Sequence, residues 1–273
     1  QNLCRYHIMK STKFLSLNSK IEQFNKNGFF IERNFISKNK CNEIIEKLEK
    51  IKKSRKKNLL FIGDRRIEVI YNFFYEDFSL LKLIINKTID LFIKKLFDKH
   101  YVLQVNSARN VLYSKSKKKI ASGYRWHKDN RFINRESMKP CVLHSIILCL
   151  DEFNNYNGAT EYIPNSHKSN LFFSRHQNKN KSKKILANKG DLIFLHGNLI
   201  HKAGKNLKPK KTRWSIFAFY TPWWVKPAIN FKKFMGKHLK KMNNLEKKVL
   251  HFDTTPPEKY INNSFSVYKK KNS

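Results

Sequence analysis

Gly190-Asp191-Leu192-Ile193-Phe194-Leu195-His196-Gly197-Asn198-Leu199-Ile200-His201 is the stretch that decides how this chain folds. A turn carrying an acid opens it, an apolar run follows, and a histidine closes it just before the Gly204 turn. The run is short enough for a buried strand and too short for a core helix. Similar short apolar runs lie at 103–113, 124–129, 142–150, 159–163 and 215–220, separated by clusters of glycine, asparagine and lysine. Short strands punctuated in this way describe a β-sandwich or barrel.

The triplet His127-Lys128-Asp129 lies far upstream of His201. In an extended strand residues i and i+2 share a face, so His127 and Asp129 can reach one metal while Lys128 points away. An H-x-D triplet alone is weak, because it arises by chance, and a lone histidine at a strand end more often serves a turn. With His201 the set becomes two imidazoles and one carboxylate, the facial triad of non-heme Fe(II) oxygenases. Arg213-Trp214-Ser215 strengthens it. Arg213 and Ser215 again share a face, and a guanidinium fork suits a carboxylate in bidentate geometry. A triad plus a downstream arginine is what an oxygenase using Fe(II) and the dianion 2-oxoglutarate requires. The turn-rich connection through Pro209 suggests that the His201 and Arg213 strands lie side by side. Asn110 and Tyr113, on the strand before the triplet, are candidate pocket or cosubstrate contacts. His196 is read as a core or supporting histidine, His144 as an inward strand residue and His167 as a turn residue. Lys211 falls in a turn and is a weaker carboxylate partner than Arg213.

The first hundred residues read as helical with one short strand. Ser37 caps a helix whose apolar face is Cys41, Ile44, Ile45, Leu48 and Ile51. Gly28 turns the chain into a strand at Phe29–Glu32, and a second helix is expected over 79–97. Residues 50–57 form a solvated basic stretch between them. The organisation expected is a mostly helical part at 1–100, a core at 101–224 and a basic extension at 225–273 with a helix near 231–250, all in one structural domain.

A total of 57 Lys and Arg against 20 Asp and Glu gives a formal charge of +37. Such a charge draws anions. The lysines are dispersed along the whole chain beside abundant Asn, Ile and Phe, a composition that AT-rich codons produce, so no specific nucleic-acid partner is inferred. Basic loops at 115–119, 178–184 and 205–211 favour an anionic small-molecule substrate. Hydrophobic residues make up 40% of the chain, enough for a substantial core. The four cysteines form no C-x-x-C pair, which suits reduced thiols in a cytoplasmic protein. The longest apolar run, within 142–150, is far too short to span a membrane.

These residues resemble the phytanoyl-CoA dioxygenase family of Fe(II)/2-oxoglutarate oxygenases. Gly158 to Lys168 is similar to that family's "G…iPGSHk" segment, with Asn165 in place of the usual glycine. Gly190 to Asn206 is similar to its "GD…fh…H…N" segment, Phe24 to Ile31 to its opening, and Tyr220 to Trp224 to its exit. The resemblance implies a mainly β fold with flanking helices, built on a double-stranded β-helix or jelly-roll core. It implies His127, Asp129 and His201 on iron and Arg213 on the 2-oxoglutarate carboxylate, with O2 as the other substrate. Asp129 is present where halogenating relatives carry a small residue, which favours hydroxylation. A jelly-roll protein that only binds an anion or RNA, or a cupin-like metalloprotein without 2-oxoglutarate, is the alternative.

Overall fold

The computed structural model describes residues 15–56, 59–62, 66–97, 99–113, 125–130, 141–168 and 181–253. The basic loop at 115–119, residues 178–180, Cys4 and the end of the tail lie outside this set.

Local chemistry starts and stops the helices. Helix α1 (Leu17–Asn27) begins where Ser16 Oγ accepts the Ser19 N–H at 3.2 Å. It ends at Gly28, which at φ +81° returns its N–H to Phe24 O and turns the chain into strand β1 (Phe29–Glu32). A side chain here would be strained, which is why glycine closes the helix. Helix α2 (Lys38–Ser54) starts on Ser37 and buries Cys41, Ile44, Leu48 and Ile51, the face its spacing predicts. The helix expected over 79–97 is two pieces instead. A 3-10 segment covers Phe78–Leu83, and helix α3 runs over Lys87–Phe97. Asn86 explains the break, because its Oδ1 accepts the Ile89 N–H and starts a new helix.

Strands β2 (Leu60–Ile62), β3 (Ile67–Tyr71), β4 (Tyr101–Val111), β5 (His144–Cys149), β8 (Leu192–His196) and β10 (Arg213–Pro222) join β1 in one antiparallel sheet, in the order β1-β8-β5-β10-β4-β3-β2. Strands β6 (Glu161–Tyr162), β7 (Lys183–Lys184) and β9 (His201–Lys202) form a smaller sheet in the order β7-β6-β9. The N-terminal part therefore supplies three strands rather than one, and both edges of the large sheet come from it. Pairing with β4 stabilises the short β3, a contact that local sequence does not encode. At the other end, the helix expected over 231–250 divides into α4 (Phe231–Met235), a 3-10 segment and α5 (Asn244–Val249). Asn243 and Glu246 form a capping box that begins α5 afresh.

Alternation along the strands sorts residues into two cores. Ile146 and Leu148 of β5 face the helices, with Phe24, Cys41, Leu48, Phe92 and Trp214. Ile147 and Cys149 face the interior of the roll, with Ile193, Leu195, Leu199, Phe153 and Ile185. Asp191, fully buried, ties the layers together. Its carboxylate accepts from Arg33 Nη1 (2.6 Å), the Asn34 N–H (2.9 Å) and the Asn188 N–H (2.8 Å). Gly190 before it has φ +93°, and a Cβ there would meet Ile36 O at 2.2 Å. The Gly-Asp pair is thus a structural clamp that aims β8 and the histidine run after it.

Candidate metal centre and cosubstrate cavity

His127 and His201 are direct cross-strand partners. Each N–H donates to the other's carbonyl at 2.9 Å, and the ring centroids lie 4.4 Å apart. Asp129 sits between the rings. His127 Nε2 is 3.7 Å from one carboxylate oxygen and His201 Nε2 is 3.7 Å from the other. Donors bound at about 2.0–2.2 Å to one ion stand roughly 3–4 Å apart, so the set fits a metal. Both rings are oriented from behind. His127 Nδ1 contacts Arg125 O at 2.8 Å and His201 Nδ1 contacts Leu199 O at 2.9 Å. A carbonyl can only accept, so Nδ1 carries the proton in each ring and Nε2 presents its lone pair to the centre. Ser145 of β5 adds a hydroxyl donor to Asp129 Oδ2 at 3.2 Å. Ser145 was not singled out in the sequence, and its only signal is its place on the inward phase of β5.

A second group, Cys141, His144 and His196, also has metal-ligand composition. Its hydrogen bonds run the opposite way. His144 Nδ1 accepts from the Gly197 N–H (3.3 Å) and His196 Nδ1 accepts from the Asn198 N–H (3.1 Å). That leaves the proton on Nε2 of the neutral rings and no lone pair there for an ion. Burial holds His144 well below the ordinary histidine pKa and, helped by His167 and Lys128, pulls His196 down to about 3. These are neutral core histidines.

A stability prediction follows from their depressed pKa values. The folded protein keeps both rings neutral while the unfolded chain protonates them below about pH 6.5. Their contribution is present above that pH and declines as pH falls below it, for His196 down to about 3, at roughly 1.4 kcal/mol per pH unit for each proton. Urea unfolding of His196→Gln should show a flatter loss of stability between pH 6.5 and 5 than the parent. Parallel slopes would mean that His196 does not titrate this way.

The triad opens onto a cavity of about 500 Å³ that also contains Arg213. Arg213 is buried, lies 3.9 Å over the Phe153 ring, and donates from Nη1 to Ser215 Oγ at 3.3 Å. The strands of His201 and Arg213 are not neighbours, contrary to expectation. β9 belongs to the small sheet and β10 to the large one, so the two residues line one cavity from different sheets. Asn110 does not line the cavity. It pairs with Trp214 in register, and its Nδ2 donates to Glu68 Oε2 at 2.8 Å, on the face opposite Arg109 and Val111. Tyr113 forms a backbone bridge to Asn206 and is absent from the described lining. Arg109, unremarked in the sequence, is in it.

Residues 24–213, a span holding the triad and Arg213, match the model of the phytanoyl-CoA dioxygenase (PhyH) family. The chain is 30% identical over 96 residues to dioxygenase af480 of Aspergillus fumigatus, a match covering 35% of this chain and 31% of that protein, so the chain spans about a third of that relative. The fold is similar to the α-ketoglutarate-dependent epimerase SnoN of nogalamycin biosynthesis, with TM-score 0.59 and 13% identity over 76% of this chain and 83% of that one. It is also similar to HygX from Streptomyces hygroscopicus with nickel and 2-oxoglutarate bound, with TM-score 0.58 and 12% identity over 77% and 89%. The carbocyclase SnoK of nogalamycin biosynthesis, at TM-score 0.57 and 14% identity, covers 84% of this chain and 91% of its own. At these identities the structural likenesses establish the jelly-roll fold. With its family match running through both signature segments, the chain belongs to the phytanoyl-CoA dioxygenase family, whose members depend on Fe(II) and 2-oxoglutarate.

Proposed function

We propose that this chain is an Fe(II)- and 2-oxoglutarate-dependent dioxygenase that hydroxylates a C–H bond of a small, anionic metabolite. The observation that carries it is the pair of histidines whose Nδ1–H groups are spent on carbonyls, so that both Nε2 atoms converge on Asp129 in a cavity that also holds Arg213. His127, Asp129 and His201 would hold the metal, and Arg213 with Ser215 the far carboxylate of the cosubstrate. When bound, metal and cosubstrate supply the oxidising power, with O2 consumed and succinate and CO2 released as the substrate gains a hydroxyl group.

The chain's own residues do the rest. Ser145 holds the Asp129 carboxylate in its place between the two rings. The fork of Arg213 is pinned by Ser215 Oγ and the Phe153 ring, so a carboxylate arriving there finds its donors already oriented. Phe217, Phe219, Leu143 and Val105 line the cavity with apolar surface that keeps water away from the substrate carbon. Cys41, Cys141 and Cys149 are free thiols, which supports a cytoplasmic setting. No described helix is long and apolar enough to cross a membrane. An anion- or RNA-binding roll would need no two-histidine, one-carboxylate set beside its cation, and a cupin-like protein without 2-oxoglutarate would leave the buried Arg213 without a role.

The test is succinate formation from 2-oxoglutarate by purified protein, with and without Fe(II). Slow turnover that requires iron and is stimulated by small anionic metabolites is expected. Failure to bind or consume 2-oxoglutarate with iron present would remove the dioxygenase reading.

A further inference from the structure

Arg109 is a cation of the cavity that neither metal nor cosubstrate accounts for. It stands on β4 in register with Ser215 of β10, so it shares the inward face with Arg213. Among the described residues Ser107, Phe217 and Phe219 hold its side chain, the Phe219 ring at 5.9 Å. Nε donates to Ser107 Oγ at 3.0 Å, and the guanidinium lies 4.1 Å over the Phe217 ring. No described carboxylate forms an ion pair with it. Burial lowers its pKa from the ordinary value, against the pull of Tyr71 and Asp129, but an arginine stays charged.

Charge balance singles out this residue. Lys202, also at the cavity, is matched by Glu161 at 2.8 Å. A divalent metal with Asp129 and Arg213 leaves an excess that the dianionic cosubstrate cancels. Arg109 then remains as an unmatched positive charge among the described lining residues, in surroundings where an unmatched charge is costly. Around it Phe217, Phe219, Val105 and Ile67 are apolar.

We propose that Arg109 binds an anionic group of the substrate, a carboxylate or a phosphate, on a molecule whose remaining body is apolar. The inference rests on the dioxygenase reading and adds the substrate class to it. The stacked, tethered guanidinium offers its outer nitrogens as a planar fork, the arrangement suited to two-point recognition of such a group. Arg109 acts in specificity, holding the substrate so that an apolar carbon faces the metal.

Calorimetry on protein loaded with Mn(II) and 2-oxoglutarate tests this, with benzoate, phenyl phosphate and uncharged benzamide as probes. The parent protein should bind at least one anion roughly 30-fold more tightly than benzamide, the lower end of what a buried charge pair is worth. The better anion tells carboxylate from phosphate. Arg109→Gln should lose the preference while binding 2-oxoglutarate within about twofold of the parent, and Arg109→Lys, which keeps the charge but not the fork, should retain part of it. Equal binding of the anions and benzamide by the parent overturns the proposal, and needs no variant to fold. So does an Arg109→Gln protein that loses 2-oxoglutarate as severely as Arg213→Ala, because Arg109 would then be a cosubstrate residue. A parent protein that does not bind 2-oxoglutarate at all instead withdraws the dioxygenase reading, and this inference with it.

Discussion

Replacing His201 with alanine is expected to abolish stoichiometric Fe(II) binding, and His127→Ala and Asp129→Ala should do the same. The three donors have their orientation built in. Two rings are locked by carbonyls at 2.8 and 2.9 Å, and the carboxylate is held by Ser145. Losing a hydrogen-bonded supporter of a ligand typically costs about 10–100-fold in metal affinity, and losing the ligand itself should cost more. Ser145→Ala therefore belongs in the 10–100-fold range, with the triad variants beyond it. His196→Ala is the control, since the Asn198 N–H occupies its Nδ1. Anaerobic Fe(II) titration separates these cases. Full iron occupancy in His201→Ala together with loss in His196→Ala would move the distal ligand to the second histidine group.

The second large effect concerns Arg213. Its replacement by alanine should weaken 2-oxoglutarate by about 30-fold to several thousand-fold, because breaking a buried, hydrogen-bonded charge pair costs roughly 2–5 kcal/mol. Iron affinity without cosubstrate should change little. Lys211→Ala should leave both nearly unaltered, since Lys211 is exposed and precedes β10 while Arg213 is buried within it. The measurement is 2-oxoglutarate binding to the metal-loaded protein, by calorimetry. Equal affinity in parent and Arg213→Ala would remove the cosubstrate assignment.

The contrast between Asn110 and Arg109 shows where local sequence stops being informative. Strand side chains alternate with a period of two, so residues 109 and 111 share one face of β4 and residue 110 has the other. Nothing within the strand says which face looks inward. A one-residue slip would exchange the faces entirely. The phase is set by β10, which places Val111 against Arg213 and Ser215 against Arg109. Asn110 and Tyr113 could not both face the cavity from a regular strand in any case, because their positions differ by three, an odd number. The same limit explains the short strands β3, which pairs with β4, and β2, which pairs in turn with β3.

By itself the sequence determined the chemical inventory and the local punctuation. Histidine, aspartate and arginine stand in segments similar to those of one family, Gly28 and Ser37 mark a helix end and a helix start, and apolar runs have the length of strands. These are properties of residue types and near neighbours, which short-range sterics and hydrogen bonds decide. Only the tertiary structure brought His127 opposite His201, lodged Asp129 between them, set Arg213 on a different sheet from His201, and turned Arg109 rather than Asn110 inward. Each of those depends on hydrogen-bond register between strands distant in the chain, and on which face of a sheet the helices cover, so it is decided when the layers pack.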